Sequence, residues 1–184
     1  HSHDNIVEKL RIGDRGAINL QAIDRIQIKR GYHVGEKGFF SLVDNAVVRI
    51  QTLKKIKHNQ RVRIHLGTQE VMARLLFVNE FSNANMIALL KFENRIIASF
   101  KDKFIIRTYS PITTIGGGEV LDINVSGKWN QIKKYITGLE SKKLDLDIIK
   151  EMIQADVLSI YKKDDLSKHL GVSIRVLNNF ISNI

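Results

Sequence analysis

Cysteine is absent from the chain, so neither a disulfide nor a thiolate metal site is available to it, which suits a reducing cytosol. Proline occurs once, at Pro111, and aromatic residues make up only 7% of the 184 positions. No apolar run approaches the length of a membrane span, and no signal peptide opens the sequence. Catalytic constellations are missing too. There is no paired-carboxylate, Ser/His/Asp or His-cluster arrangement, and His58 and His65, seven apart, match no common metal motif. Glu70, Glu80 and Glu93 are scattered singly and read as surface. Acid is missing altogether between Asn45 and Gln69, where Arg49, Lys54, Lys55, Lys57, Arg61 and Arg63 all fall.

What is present is positive charge. Lys and Arg number 29 against 19 Asp and Glu, a net charge of +10, which points toward a polyanionic partner, RNA or DNA. Up to about Asp122 the apolar residues recur with period two in short runs, which predicts antiparallel strands at 16–23, 39–43, 46–53, 61–66, 69–78, 86–92, 103–109 and 118–123. Turn residues stand between them at Asp44-Asn45, His58-Asn59-Gln60, Ser82–Asn85 and Glu93-Asn94. Many short strands with close turns predict barrels or a sandwich, and closure removes exposed edges.

From Ser126 onward the period becomes helical. Trp129, Ile132, Tyr135, Ile136 and Leu139 share one face, and Leu146, Ile149, Met152 and Ile153 a second. A boundary is expected near 123–127. The last stretch, DDLSKHLGVSIRVLNNFI, pairs Leu166 with Leu170, breaks at Gly171, and offers Ser173 as a cap before Val176, Leu177 and Phe180 turn inward. This is a helix-turn-helix pattern. It reads either as a packing module or as a groove reader with Arg175 as its cation.

Two segments concentrate the functional signal. In RVRIHL, Val62, Ile64 and Leu66 face one way and Arg61, Arg63 and His65 the other, placing cations about 7 Å apart, the spacing of phosphates along a strand. An ordinary solvated face is the other reading. In FIIRTYSPITTIGGGEVLD the run Gly116-Gly117-Gly118 implies a bulge or close approach by another chain or a ligand.

These residues resemble the third domain of the bacterial selenocysteine-specific translation elongation factors. The resemblance rests on His65-x-Gly67-Thr68, on Asp102-x-Phe104-x-Ile106-Arg107, and on Ser110-Pro111-x-x-Thr114-Ile115-Gly116-Gly117-Gly118 with Val120-Leu121-Asp122. Upstream, His3-Asp4, Gly13-Asp14-Arg15, Ala17–Leu20 and Arg30-Gly31 are similar to later strands of the second domain of translational GTPases. The helical tail is similar to the family's linker and first winged helix.

The resemblance implies a mixed fold, β then α. Residues 1–43 would be part of a domain 2 β-barrel, 44–123 a domain 3 antiparallel β-barrel, and 124–184 a linker helix with a truncated winged-helix domain. It implies a cytoplasmic middle fragment without membrane contact. Its partners would be selenocysteinyl-tRNA and the ribosome, with a messenger-RNA hairpin gripped only by modules outside the chain. No Gly-x4-Gly-Lys-Ser/Thr loop is present, so GTP and Mg are expected in a nucleotide domain outside these residues, and the fragment is not expected to be an enzyme. Arg63, His65, Arg107, Tyr109 and Ser110 are the implied RNA-binding residues. Arg15 is the implied guanidinium of the aminoacyl pocket, with His3 and Asp4 beside it, although the opening histidines read equally as the remnant of an affinity tag. A different translational GTPase relative or a helix-turn-helix DNA regulator is the alternative.

Overall fold

The computed structural model describes residues 9–11, 14–21, 28–35, 37, 39–79, 86–142, 145–154, 163–170 and 172–182. They divide into two compact units, His1–Arg30 and Gly31–Ile184. In the first, Arg11 N donates to Asp14 Oδ2 at 2.8 Å and Asp14 N to Arg11 O at 3.0 Å. The strand expected over 16–23 is not formed at 16–21, and 22–23 lie outside the described residues. Alternation alone does not make a strand when, among the described residues, no sheet takes the apolar side, and Ile18 stands exposed.

The second unit is built on a closed antiparallel barrel. Its strands are β1 (Leu42–Thr52), β2 (Gln60–Leu66), β3 (Gln69–Phe77), β4 (Met86–Ile97), β5 (Lys103–Thr108) and β6 (Thr114–Ile123), in the order β1-β4-β3-β2-β5-β6. The expected period-two core is there: Val48, Ile50, Ile64, Leu75, Leu90 and Ile106 fill the interior. Two expected turns are instead strand. Asp44-Asn45 lies at a bulge within β1, and Glu93-Asn94 lies inside the 12-residue β4, whose far end pairs Ile96 and Ile97 with Val43 and Leu42. Ladder bonds on a closing barrel outweigh the local turn preference of Asn and Asp. The Gln69 side chain prolongs the ladder, donating to Ile97 O at 2.8 Å and accepting from Ile97 N at 3.0 Å.

The glycine run lies in β6, between β1 and β5. A Cβ at Gly116 would stand 2.6 Å from Gln51 O, at Gly117 2.8 Å from Phe104 O, and at Gly118 2.1 Å from Arg49 O. The approach these glycines permit is that of the barrel's own neighbouring backbones. Bulges flank the run: Ile115 is the extra residue between pairs Ile106↔Gly116 and Arg107↔Thr114, and Leu121 between Val48↔Val120 and Val47↔Asp122.

Leu121, at the second bulge, joins another core outside the barrel. Val47, Ile87, Leu89 and Leu121 meet Ile132, Tyr135, Ile136 and Leu139 of helix α1 (Trp129–Glu140). Helix α2 (Asp145–Gln154) adds Ile148, Ile149 and Met152, whereas Ile153, expected on that face, is 52% exposed. Helices α3 (Lys163–Leu170) and α4 (Ile174–Ile181) contribute Leu166, Leu170 and Leu177. Ser173 Oγ accepts from Val176 N at 3.4 Å, as its capping role requires. Val176 is exposed rather than inward, and the Phe180 side chain lies outside the described residues. No described helix is long and apolar enough to cross a membrane.

Candidate nucleic-acid interface

Strand alternation sets the candidate face. On β2, Val62, Ile64 and Leu66 are buried in the core, so Arg61, Arg63 and His65 project from the barrel's outside. Register then chooses their neighbours. Arg63 lies directly opposite Arg107 of β5, and Arg61 directly opposite Arg74 of β3, which in turn faces Lys91 of β4. Lys91, Arg74 and Arg61 thus form a basic row across three strands, at about 4.8 Å per strand. Like charges directly opposite one another destabilise a sheet unless an anion intervenes.

Some of that charge is answered within the protein. Arg63 Nη1 donates to Glu70 Oε1, and His65 Nδ1 stands 3.7 Å from Glu70 Oε2. Arg61 forms a two-pronged pair with Glu93, Nε to Oε1 and Nη2 to Oε2, both at 2.6 Å, and its guanidinium carbon lies 4.7 Å from the Tyr109 ring centre. Hydrogen bonding to Arg61 holds the Glu93 carboxyl below its usual range, and the same pair pushes Arg61 further up. The basic strip expected on β2 is thus present but partly neutralised by carboxylates of neighbouring strands. The acid-free window in the sequence is filled from β3 and β4. Among the described residues, the cations on this face that form no ion pair are Arg107, Arg74 and Lys91, and Arg74 still lies near enough to Glu93 to help hold its carboxyl low. Arg107 Nε donates to Thr114 Oγ1 at 3.3 Å, and Arg74 Nη1 to Asn59 O at 3.3 Å.

The expected RNA-binding residues do come together. Arg63 and Arg107 are cross-strand neighbours, His65 is next along β2, and Tyr109 and Ser110 follow β5 in an exposed turn. Thr108 ties the base of that turn through Thr108 N to Thr113 O and Thr113 N to Thr108 Oγ1, both at 2.9 Å. Arg63 Nε and His65 Nε2 are shielded from solvent and find no hydrogen-bond partner among the described residues. Arg15 is exposed, within the first unit, and His3 and Asp4 lie outside the described residues. No group of His, Asp or Glu suited to a metal gathers among the described residues.

Three features are not evident from sequence: the Arg61–Tyr109 stack, the carboxylate partners Glu70 and Glu93, and the side-by-side placement of Arg74 with Arg61. Glu70 was within reach, because a two-residue Gly67-Thr68 turn between Leu66 and Gln69 forces His65 opposite Glu70. Glu93 was not, since β4 stands two strands from β2.

The family model described as "Selenocysteine-specific elongation factor, beta-barrel domain" matches residues 43–126. The barrel is thus similar to the β-barrel domain of the selenocysteine-specific elongation factors. A "Selenocysteine-specific elongation factor" of Desulfomicrobium baculatum is 23% identical over 129 residues, covering 65% of this chain and 20% of the relative. Another of the same description, from Haemophilus influenzae, is 28% identical over 128 residues, covering 67% and 21%. The chain matches only about a fifth of the length of these curated relatives. A crystal structure of the bacterial selenocysteine-specific elongation factor EF-Sec superposes with a TM-score of 0.74 at 22% identity, over 97% of this chain and 28% of that one. The same fold, a barrel followed by short helices, is therefore shared along nearly the whole chain.

Proposed function

We propose that the outer face of β2, β3 and β5 rests on the phosphate backbone of selenocysteinyl-tRNA, as the tRNA-holding barrel of a selenocysteine-specific elongation factor. The observation that carries this reading is the placement of Arg107 directly opposite Arg63, on a face that also holds Arg61 and Arg74, with Lys91 of β4 at its edge. Arginine neutralises phosphate while carrying no base preference, so this surface positions an RNA rather than reading it. Tyr109, stacked on Arg61 and exposed, offers a hydroxyl to phosphate or to a ribose 2′-hydroxyl, with Ser110 beside it.

In this reading Arg15, with His3 and Asp4, serves the aminoacyl end. The longer protein carries GTP and Mg on a nucleotide domain, delivers its tRNA to the ribosome in the cytoplasm, and holds the messenger-RNA hairpin with further modules. The test is filter binding of a selenocysteine tRNA transcript across a salt series. A steep loss of affinity with salt is expected, and less of it in Arg107→Ala. Binding that ignores salt, or an Arg107→Ala variant with an unchanged slope, would refute the assignment.

A further inference from the structure

Glu119 is the meeting point of charges apart from the Arg61, Arg63, Arg74 and Arg107 group. It projects outward from β6 with its side chain only 12% exposed, beside Arg49 of β1 and Lys103 of β5. Arg49 Nη1 donates to Glu119 Oε1 at 2.9 Å, Lys103 Nζ to Glu119 Oε2 at 2.5 Å, and Lys101 Nζ stands 3.1 Å from the same oxygen. Two of these cations also hold the corner between α1 and α2. Arg49 Nη2 donates to the Lys142 carbonyl at 2.6 Å, and Lys101 Nζ stands 2.8 Å from Asp145 Oδ1. A cleft of about 520 Å³ opens beside this cluster, with Arg49, Lys103 and Gly116–Gly118 in its wall.

We propose that Glu119 is the hub of an electrostatic latch between the barrel and the α1–α2 corner, and that a phosphate group entering the cleft opens it. The three cations outnumber the two carboxylates they serve, Glu119 and Asp145, so the cluster keeps a positive excess toward the cleft. Lys103, 74% exposed, is the cation an anion meets first. A phosphate oxygen competes with Glu119 for Lys103 and for Arg49, whose planar guanidinium cannot keep Glu119 and the Lys142 carbonyl while turning to a new acceptor. The corner then loses one charge-assisted bond, while apolar packing of Ile136, Leu139 and Ile149 keeps the helices seated. The latch thus changes the firmness of the corner rather than its attachment. In the tRNA-binding role, on which this extension rests, the phosphate is a backbone diester.

Hydrogen exchange on the whole chain tests the latch. Inorganic phosphate, titrated against chloride at matched ionic strength, should speed exchange of amides at 139–142 and 145–148 roughly tenfold, and leave β3 unchanged. Lys103→Ala should blunt that response, and Glu119→Gln should exchange rapidly at the corner without phosphate. Arg49→Lys keeps the charge but cannot span both acceptors, so it should behave as Glu119→Gln does even if the latter folds poorly. A corner indifferent to phosphate overturns the latch whatever RNA does. A tRNA transcript that fails to bind overturns the functional reading, whereas one that binds without loosening the corner overturns only the latch.

Discussion

The Tyr135 hydroxyl donates to Asp122 Oδ2 at 2.7 Å with both side chains buried. It joins helix α1 to the last barrel strand, and Asp122 Oδ1 also accepts from Ile123 N at 2.7 Å. Burial first, then the adjacent Asp122 charge, pushes the Tyr135 phenol far up, so it remains a donor at any working pH. Tyr135→Phe removes this buried bond to a carboxylate and should lose about 1–3 kcal/mol. Urea unfolding should show a lower midpoint with an unchanged slope; an unchanged midpoint would deny the bond its role.

Gly118 and Gly67 separate crowding from backbone strain. Gly118→Ala drives a methyl against Arg49 O and should cost at least about 1–3 kcal/mol by overpacking. Gly67, at φ +56 with open space around its missing Cβ, should lose about 1–2 kcal/mol on substitution by Ala, from conformation alone. Thermal melts should rank Gly118→Ala the less stable, and the opposite order would mean that β6 shifts to make room.

Arg107→Ala should reduce the salt slope of tRNA binding by about one, the worth of one phosphate contact. Arg175→Ala, on α4, should leave that slope alone. If Arg175→Ala alone abolished nucleic-acid binding, the helix-turn-helix alternative would replace the barrel face.

Glu93 should titrate differently once Arg61 is gone. Arg61 holds its carboxyl low, so Arg61→Ala should raise the midpoint of the Glu93 carboxyl resonance toward the ordinary glutamate value. Carbon-detected NMR through the acid range reads this directly, and an unmoved resonance would show that the two-pronged pair does not persist in solution.

Glu119 carries an acid limb of stability. Burial opposes its ionisation, and hydrogen bonds from Lys103 and Lys101 outweigh burial, leaving the carboxyl lower in the folded chain than in the unfolded one. Its contribution is therefore complete above the unfolded value and lost as pH falls through the folded one. Glu119→Gln should flatten the decline in melting temperature on acidification. A variant with the same decline as the parent would place the acid sensitivity elsewhere.

Much of the barrel is legible along the chain, and particular residues show why. Val62, Ile64 and Leu66 alternate because one face of β2 is core, and no tertiary detail changes that. Glu93-Asn94 misleads because a turn preference worth little locally yields to the ladder that carries β4 on to Ile97. Ile18 misleads in the opposite direction, since its period-two setting finds no sheet among the described residues to complete it. The candidate site is legible as a set of residue types. Arg63, Arg107 and Tyr109 stand out by chemistry and motif without any knowledge of strand order.

The sequence by itself determined where strands give way to helices, which side of β2 is basic, and the family that the motifs around Gly116–Gly118 resemble. Those properties follow from side-chain periodicity and from short local spacings. Tertiary structure alone decided which charges remain available, because strand order brought Glu93 to the basic face and left Arg107 without a carboxylate among the described residues. It also decided what the glycines admit, namely the carbonyls of β1 and β5. Coulomb attraction and steric contact act through space between strands far apart in the chain, so neither could be read along it.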